Sequence, residues 1–352
     1  MNNKISSGEI MPITIGLITA LFPGITNALI LNTSKNASLI SVLIGIIIGF
    51  FPILLIITIS KRIESESLKD YLISKLGIIG RILNILLILI AIFILFLNSW
   101  FVIDFIISQF LTRTSYYFIA IVLFLIIAWT INKGIESVSR TIFILFLFTS
   151  LIMIFLWICL IPYINLNNLK PYIDVGINKI IKSSFIYIIY ITTPIIYILD
   201  LKHITKDKKN FERKIIVSYI ISSIIVIVFL FLIISVYGIN LSTILTYPVY
   251  ALFKKIQILG FIERIENFAA IQIIVVFYAQ STYLIYYLKE NITEKTDKRI
   301  ITYLISLIIP IISIIIFKNY NLLNIVKISP YIISSIIVVI LLLFITNVKK
   351  EV

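Results

Sequence analysis

The stretch ITALFPGITNALIL (residues 18–31) places Pro23 beside Gly24 in the middle of an apolar segment long enough to span a membrane. Proline removes a backbone hydrogen-bond donor and clashes with the preceding turn, and glycine is a weak helix former. In lipid, non-helical backbone is tolerated only where protein or a water-filled cavity covers it. The polar residues around the break are Thr19, Thr26 and Asn27. The stretch therefore predicts a discontinuous helix at a binding site, with a plain proline kink as the alternative.

The composition of the chain is that of a polytopic membrane protein. Of 352 residues, 61% are hydrophobic, which is more than the core of a soluble domain of this length can bury. The net charge of +14 comes from short clusters between apolar runs, a pattern typical of membrane topology and not of nucleic-acid binding. Cys159 and His203 are the only residues of their types, so neither a disulfide nor a His/Cys metal site is expected. No motif for catalysis or for a cofactor is present.

Apolar runs predict ten membrane-spanning helices and no soluble domain. The predicted spans are 10–31, 37–60, 81–110, 116–132, 138–162, 183–201, 213–238, 262–288, 299–317 and 328–346. The third is long enough to tilt or project from the bilayer, and the fourth is short. About two thirds of the 30 Lys and Arg residues fall in loops on the side of the N-terminus, which predicts that both termini are cytoplasmic. Residues 347–352 are then a cytoplasmic tail.

The sixth span, SSFIYIIYITTPIIYILDLK (residues 183–202), is interrupted by Pro194 in the same way as the first. The polar residues near this second break are Tyr187, Tyr190, Thr192 and Thr193. Breaks in the first and sixth of ten spans are typical of inverted-repeat transporters, whose substrate lies at mid-membrane between two interrupted helices. Free N–H groups at a half-helix start can hold a carboxylate, and freed carbonyls can hold an ammonium group or a cation. This combination fits a zwitterionic amino acid.

Two long connections are predicted on the side away from the N-terminus. One covers residues 163–184 and the other covers residues 239–260. The second contains YPVYALFKKIQIL, an amphipathic segment with Lys254 and Lys255 on its polar side. Such a segment either lies in the membrane interface or caps the bundle and ties two spans together.

Several stretches of this chain resemble the spore-germination permease family. They are KISSGEIMPITIG (4–16), NKGIESVSRTIFI (132–144), NLNNLKPYIDVGINKII (165–181) and YPVYALFKKIQILGFIERIENF (247–268), of which the last is the most specific. The members of this family are the membrane-embedded B subunits of nutrient germinant receptors, within the amino acid–polyamine–organocation superfamily. The resemblance implies an all-α, LeuT-like fold of two inverted five-helix repeats, covering residues 1–162 and 163–346.

The resemblance also implies a function, a location and partners. The protein would lie in the inner spore membrane or the cell membrane with an A-type subunit and a lipoprotein C-type subunit. It would bind a small nutrient such as an amino acid, without a cofactor, and signal germination. The alternatives are a secondary amino-acid transporter coupled to H⁺ or Na⁺, or a structural membrane protein without a ligand. The paired breaks argue against the last of these.

The family's ligand pocket lies between spans one, three, six and eight. Carried over to this chain, its positions fall on Gly24, Asn98, Ser281 and Thr282. FPG at residues 22–24 departs from the Gly-x-Gly pair found in many relatives. Together with the residues at the two breaks, the predicted ligand-binding set is Thr19, Pro23, Gly24, Thr26, Asn27, Asn98, Tyr187, Tyr190, Thr192, Thr193, Ser281 and Thr282.

Ionisable residues within spans suggest gating or a proton or water path. The candidates for such a role are Asp104, Glu263 and Glu266. Alternatively, Asp104 is solvated at the end of its span, and the two glutamates interact with the helix dipole or form an ion pair. Asp200 and His203 end the sixth span, where a solvated terminus is expected. A polar string along span eight, from Gln272 to Thr282, is equally suited to hydrogen bonds between helices. Glu136 and Arg140 have the spacing of a helix-surface ion pair.

Overall fold

A computed structural model describes residues 4–63, 66–256, 264–292, 298–319 and 322–348 of the chain. Within these ranges the backbone is helical apart from short connections, and the β-pairing is one isolated bridge. The α-helices are α1 (Ser7–Thr19), α2 (Asn27–Ser34), α3 (Ser38–Arg62), α4 (Leu68–Leu76), α5 (Ile78–Gln109), α6 (Tyr116–Asn132), α7 (Ile135–Leu160), α8 (Ile177–Tyr187), α9 (Phe211–Ile244), α10 (Pro248–Phe253), α11 (Glu266–Ile292), α12 (Lys298–Asn319) and α13 (Leu322–Val348). The protein is an all-α polytopic membrane protein.

The predicted spans agree with the helices. Among the described residues, seven helical stretches are long and apolar enough to cross a membrane, and the stretch Ser7–Arg62 contains the first two predicted spans. Tyr116–Asn132 is a shorter apolar helix at the predicted fourth span, and Ile332–Leu343 is an apolar stretch of α13 at the predicted tenth span. With 32 residues, α5 is about 48 Å long at 1.5 Å per residue, so it extends beyond a hydrocarbon core of about 30 Å.

The first predicted break is a π-helical turn, Phe22–Thr26, between α1 and α2. The N–H of Thr26 donates to the carbonyl of Leu21, five residues back, at 3.0 Å. Pro23 has no N–H to donate in the α-helical hydrogen-bond pattern. The wider π-helical turn accommodates it, and regular hydrogen bonding resumes in the helices on either side. The first span is therefore discontinuous in its hydrogen bonding, although the chain does not unwind into an extended segment.

The second break is longer. After α8 the chain forms a π-helical turn, Ile188–Thr192, and then a 3₁₀-helix, Thr193–Ile204, which begins with Pro194. Runs of 3₁₀-helix this long are uncommon, because the hydrogen-bond geometry is poorer than in an α-helix. Residues 193–202 are all buried, so this half of the sixth span lies in the centre of the bundle.

The helix packing repeats with the two halves exchanged. Span one of the first repeat packs, through α1, on α9 of span seven in the second repeat. Conversely, span six of the second repeat packs, through α8, on α3 of span two in the first. Likewise α11 of span eight packs on α7 of span five, while α5 of span three contacts α13 of span ten. This exchange is the packing expected of a five-plus-five inverted repeat.

The face of the bundle that carries Lys4 and the end of α13 is called the N-terminal face here, and the other is called the distal face. At the N-terminal face Ile5 forms a parallel bridge with the end of the sixth span. Its N–H donates to the carbonyl of Ile204 at 3.0 Å, and the N–H of Lys206 donates to its carbonyl at 2.9 Å. Ser6 and Glu9 then form a capping box at the start of α1. Ile5 is fully buried, so the segment before the first span is part of the packed structure.

At the distal face α10 is a capping helix and not an interfacial one. Pro248, Val249, Tyr250, Leu252 and Phe253 are buried, and α10 packs on α9, α11 and the Phe22–Thr26 turn. The lysines that follow, Lys254 and Lys255, are exposed. The end of the amphipathic segment, from residue 257, lies outside the described residues.

Candidate functional site

The two helix breaks meet in the middle of the bundle, where the π-helical turns Phe22–Thr26 and Ile188–Thr192 contact each other. Gly24 faces α5 across this contact. A Cβ atom added to Gly24 would lie 2.0 Å from Cε2 of Phe101, so only glycine fits beneath that ring. The break in the first span is thus covered by an aromatic side chain of the third span.

Asn98 and Ser281 lie next to this contact and bind each other. Asn98 is one helical turn before Phe101 on α5, and its Nδ2 donates to Oγ of Ser281 on α11 at 3.2 Å. Both side chains are fully buried, as is Thr282. One residue earlier on α11, Gln280 donates to the carbonyl of Leu17 in α1. Spans one, three and eight are therefore joined by polar contacts at the level of the first break.

Several polar atoms in this region are buried without a partner. They include Oγ1 of Thr26, both amide atoms of Asn27 and Oδ1 of Asn98. A buried amide or hydroxyl without a hydrogen bond costs about 1–3 kcal/mol, so each such atom needs an explanation. Two of these residues belong to the first break and its helix, and the third is on the facing span.

A small cavity of about 30 Å³, the size of one or two water molecules, lies beside the first break. Thr19, Phe22 and Pro23 form one wall, and Gln272 of α11 is the polar residue opposite. Thr19 itself donates to the carbonyl of Ile15 at 2.6 Å, one turn back in α1.

Two of the four predicted residues of the sixth span bond to other spans. Tyr187 shares a hydrogen bond of 2.7 Å with Ser223 of span seven, and Tyr190 shares one with Ser329 of span ten. Oγ1 of Thr192 lies 2.8 Å from a Cβ built on Gly49, so this side chain faces span two. Thr193 donates to the carbonyl of Ile189 at 2.6 Å, within its own helix. In this conformation these four side chains do not turn towards Asn98 and Ser281.

An aromatic cover lies over the break on the distal side. Phe101 and Phe105 of α5 contact Tyr247 at ring distances of 5.6 and 5.1 Å, and Phe105 contacts Tyr250 of α10 at 5.3 Å. Because Tyr247 immediately precedes α10, the loop helix brings both tyrosines onto the third span. We call Phe101, Phe105, Tyr247 and Tyr250 the distal cover.

Asp104 ties the distal cover to two further elements. Its Oδ1 accepts a hydrogen bond of 3.3 Å from Tyr116 of α6, and its Oδ2 accepts one from Tyr247. Burial, and then the charge of Asp104, raises the pKa of the Tyr247 hydroxyl, which therefore stays protonated and donates. The carboxylate is partly buried and bonded.

The predicted gating glutamates lie at the start of α11. Glu263 is outside the described residues. Glu266 is the first residue of α11 and follows Arg264, whose φ of 63° marks a sharp turn into the helix. Burial, and then the negative charge of Glu266, raises the pKa of Tyr250, a member of the distal cover.

At the N-terminal face lies a largely buried ion pair that sequence reasoning missed. Lys202 of the sixth span contacts Glu212 of α9 at 2.8 Å, with side-chain exposures of 8% and 17%. Lys202 also donates to the carbonyl of Ser60, and the Ser60 hydroxyl donates to Glu212 at 2.9 Å. The sequence signal was present, since a lysine follows directly on an apolar span, but such lysines normally reach solvent. The pair joins spans two, six and seven.

The expectation for Asp200 is wrong. Asp200 is only 4% exposed, and its Oδ1 accepts the N–H of Leu68 at 3.1 Å. The short helix α4, between spans two and three, starts at Leu68 and covers the end of the sixth span. By contrast, the ion pair predicted between Glu136 and Arg140 is confirmed at 2.6 Å.

Comparison with known proteins gives one family. A family model described as "Spore germination protein" matches residues 5–322. A Bacillus subtilis protein named "Putative spore germination protein YfkT" is 25% identical over 292 residues, which are 81% of this chain and 79% of that protein. A solved structure of a Na⁺-coupled sialic acid symporter, in a substrate-bound outward-open state, has a TM-score of 0.63 at 14% identity. That likeness covers 93% of this chain and 75% of the symporter chain, and it concerns the fold.

Proposed function

Since this chain belongs to the spore germination protein family, we propose that it is the permease-like subunit of a nutrient germinant receptor, with a small-molecule site at mid-membrane. The ligand is a small nutrient, and an amino acid fits the chemistry best. The site lies between spans one, three, six and eight, with Asn98 and Ser281 on one side and the Phe22–Thr26 turn on the other.

The single observation that carries this proposal is the set of unpartnered polar atoms at the first break. Thr26, Asn27 and Asn98 are all fully buried, and each keeps at least one polar atom without a hydrogen bond. A ligand with a carboxylate and an ammonium group has both acceptors and donors, so it can pair with hydroxyl and amide groups alike. Its binding would remove the cost of those unpaired atoms.

Binding requires movement of Phe101, because its ring occupies the space next to Gly24. Phe101 belongs to the distal cover, which is held by Asp104 through Tyr247. A ligand that displaces the ring shifts the bundle towards a conformation with a rearranged cover. A ligand can shift such an equilibrium only by its differential affinity for the two states. The change at the cover would then be the signal passed to partner proteins.

The partners we propose are an A-type subunit and a lipoprotein C-type subunit. We place the protein in the inner spore membrane, with the N-terminal face in the cytoplasm, where its Lys and Arg residues concentrate. No catalytic role is proposed. The alternative is a secondary amino-acid transporter coupled to H⁺ or Na⁺, because the same fold serves transport. Neighbouring genes for A-type and C-type subunits would favour the receptor.

The experiment is a thermal-shift screen of the purified protein against the twenty amino acids. A specific ligand raises the apparent melting temperature by mass action. The hit is then tested on Asn98→Ala and Ser281→Ala, with Asn32→Ala as the matched control, since Asn32 is an exposed asparagine on α2. Loss of the shift in the first two variants alone supports the site. A shift that survives in both, or no shift with any amino acid, contradicts the proposal.

Transport and sensing are separated by a second measurement with the same hit. Uptake of the labelled amino acid into proteoliposomes, driven by an imposed H⁺ or Na⁺ gradient, supports the transporter. Binding without uptake under both gradients supports the receptor.

A further inference from the structure

A second cavity, of about 340 Å³, lies at the N-terminal face. Its walls come from α4, from the 3₁₀-helix of the sixth span, and from the facing ends of α11 and α12. This volume is within the range of about 300–1,000 Å³ that small-molecule sites occupy. The residues that line it are polar or charged, and none of them belongs to the site at the helix breaks.

The most deeply buried carboxylate on this cavity is Asp200. Only Oδ1 accepts a hydrogen bond from the described part of the chain, namely the N–H of Leu68 at 3.1 Å. Asp200 is only 4% exposed, and no Lys or Arg of the described residues forms an ion pair with it. A buried carboxylate is costly unless a cation or further donors compensate it. The second oxygen therefore offers an acceptor to the cavity.

No other group on the described part of the cavity forms a hydrogen bond or an ion pair with Asp200, although His203 is close enough to interact with its charge. Lys69 also lines the cavity, and it has a partner. Lys298 is paired with Glu290 at 2.7 Å. His203 lines the same cavity, but its Nδ1 has no hydrogen-bond partner and no bond from the imidazole reaches Asp200. Asn291 is 6% exposed and donates to the carbonyl of Tyr287 at 2.9 Å, while its Oδ1 has no partner. The second oxygen of Asp200 and the amide oxygen of Asn291 are thus two unused acceptors on one cavity, and a positively charged donor suits both.

We propose that this cavity is a second binding site, for a small primary ammonium compound, with Asp200 as its counter-ion. An ammonium group has three donors and no acceptor, so it suits Asp200 together with the amide oxygen of Asn291. The volume exceeds that of a bare ion and leaves room for a short polar or apolar tail. Because Leu68 starts α4, an occupant bound to Asp200 would also hold α4 against the sixth span.

The test uses ethanolamine as the probe, with the purified full-length protein in an amine-free buffer at constant ionic strength. Thermal shift and isothermal titration are measured with ethanolamine, with ethylene glycol as the neutral match, and with NaCl and KCl as sources of a bare cation. Ethanolamine is expected to raise the melting temperature in a saturable way, and the other three are not. Equal stabilisation by Na⁺ or K⁺ would overturn the assignment to an organic ammonium compound.

Variants locate the binding. Asp200→Asn is expected to raise the Kd for ethanolamine by about tenfold or more, which corresponds to a loss of about 1.4 kcal/mol in binding free energy. Asp207→Asn, a carboxylate in the following loop that bonds Asn210, is the control and should bind as the parent does. Asn291→Leu gives a second reading if Asp200→Asn does not fold, and it should also weaken binding. Unchanged affinity in the variants that fold would refute the proposal.

The mid-membrane site is tested separately in the same assay. Asn98→Ala should leave ethanolamine binding unchanged, because Asn98 does not line this cavity. A negative result for one proposed site therefore does not count against the other.

Discussion

Gly24 lies directly against the ring of Phe101, since a Cβ atom at position 24 would be 2.0 Å from Cε2 and 2.4 Å from Cδ2 of that ring. The contact joins the break in the first span to the middle of the third. Phe101 continues into the distal cover through Tyr247, at a ring distance of 5.6 Å. One aromatic side chain thus connects the mid-membrane break with the loop helix on the distal face.

Gly24→Ala should destabilise the protein by about 1–3 kcal/mol, because the added methyl group overpacks the contact with Phe101. The measurement is thermal or denaturant unfolding of the purified protein in detergent. The matched control is Gly176→Ala, since a Cβ at Gly176 meets no atom within 4 Å and its φ of −66° suits alanine. Combining Gly24→Ala with Phe101→Leu should recover part of the loss, as expected for residues in contact. Simple additivity of the two changes would argue against this contact.

Tyr247→Phe should loosen the distal cover, because it removes a hydrogen bond to the carboxylate of Asp104. Hydrogen bonds to charged groups contribute about 1.5–3 kcal/mol, so a stability loss of that size is expected. Tyr172→Phe is the control, since Tyr172 is 58% exposed. If Tyr247→Phe lowers the free energy of unfolding no more than Tyr172→Phe does, the bond to Asp104 does not stabilise the cover.

Glu212→Gln should be among the most destabilising changes of a single charge in the chain. It leaves Lys202 buried without its partner, for which a loss of about 3–5 kcal/mol is expected. Glu136→Gln is the matched control, because its partner Arg140 has a side chain that is 63% exposed. Exposed pairs contribute about 0–1 kcal/mol. Equal losses in the two variants, measured by unfolding in detergent, would contradict a special role for the buried pair.

Ile5→Pro should open the bridge at the N-terminal face, because proline has no N–H to donate to Ile204. The measurement is hydrogen exchange at the amide of Lys206, which donates to the carbonyl of Ile5. Exchange there should accelerate by about tenfold or more as the bridge opens locally. Lys4→Ala, one residue earlier and exposed, should leave the exchange rate unchanged. The prediction fails if Lys206 keeps its protection in Ile5→Pro.

The spans and the two breaks were predictable because apolar length and proline position are visible along the chain. The rotation of each helix was not. Tyr187 and Tyr190 bond Ser223 and Ser329, and the sequence did not indicate these partners, because a helical spacing gives one face without saying which neighbour it meets.

Two further features depended on tertiary structure alone. Phe101 is one aromatic residue in a long apolar run, and nothing in that run marks it as the ring over Gly24. Asp200 was expected in solvent because it ends a span, and it is buried because α4 folds over it. The resemblance to the family pointed to Asn98 and Ser281 as ligand residues, and the structure shows a hydrogen bond of 3.2 Å between these two side chains.

The bridge between Ile5 and the end of the sixth span has a consequence for biosynthesis. During translation Ile5 is made two hundred residues before Thr205, its bridge partner. The segment before α1 therefore cannot form its bridge until the first six spans have been synthesised. The bridge therefore forms only after more than half of the chain has been made, and a chain truncated before the sixth span cannot form it.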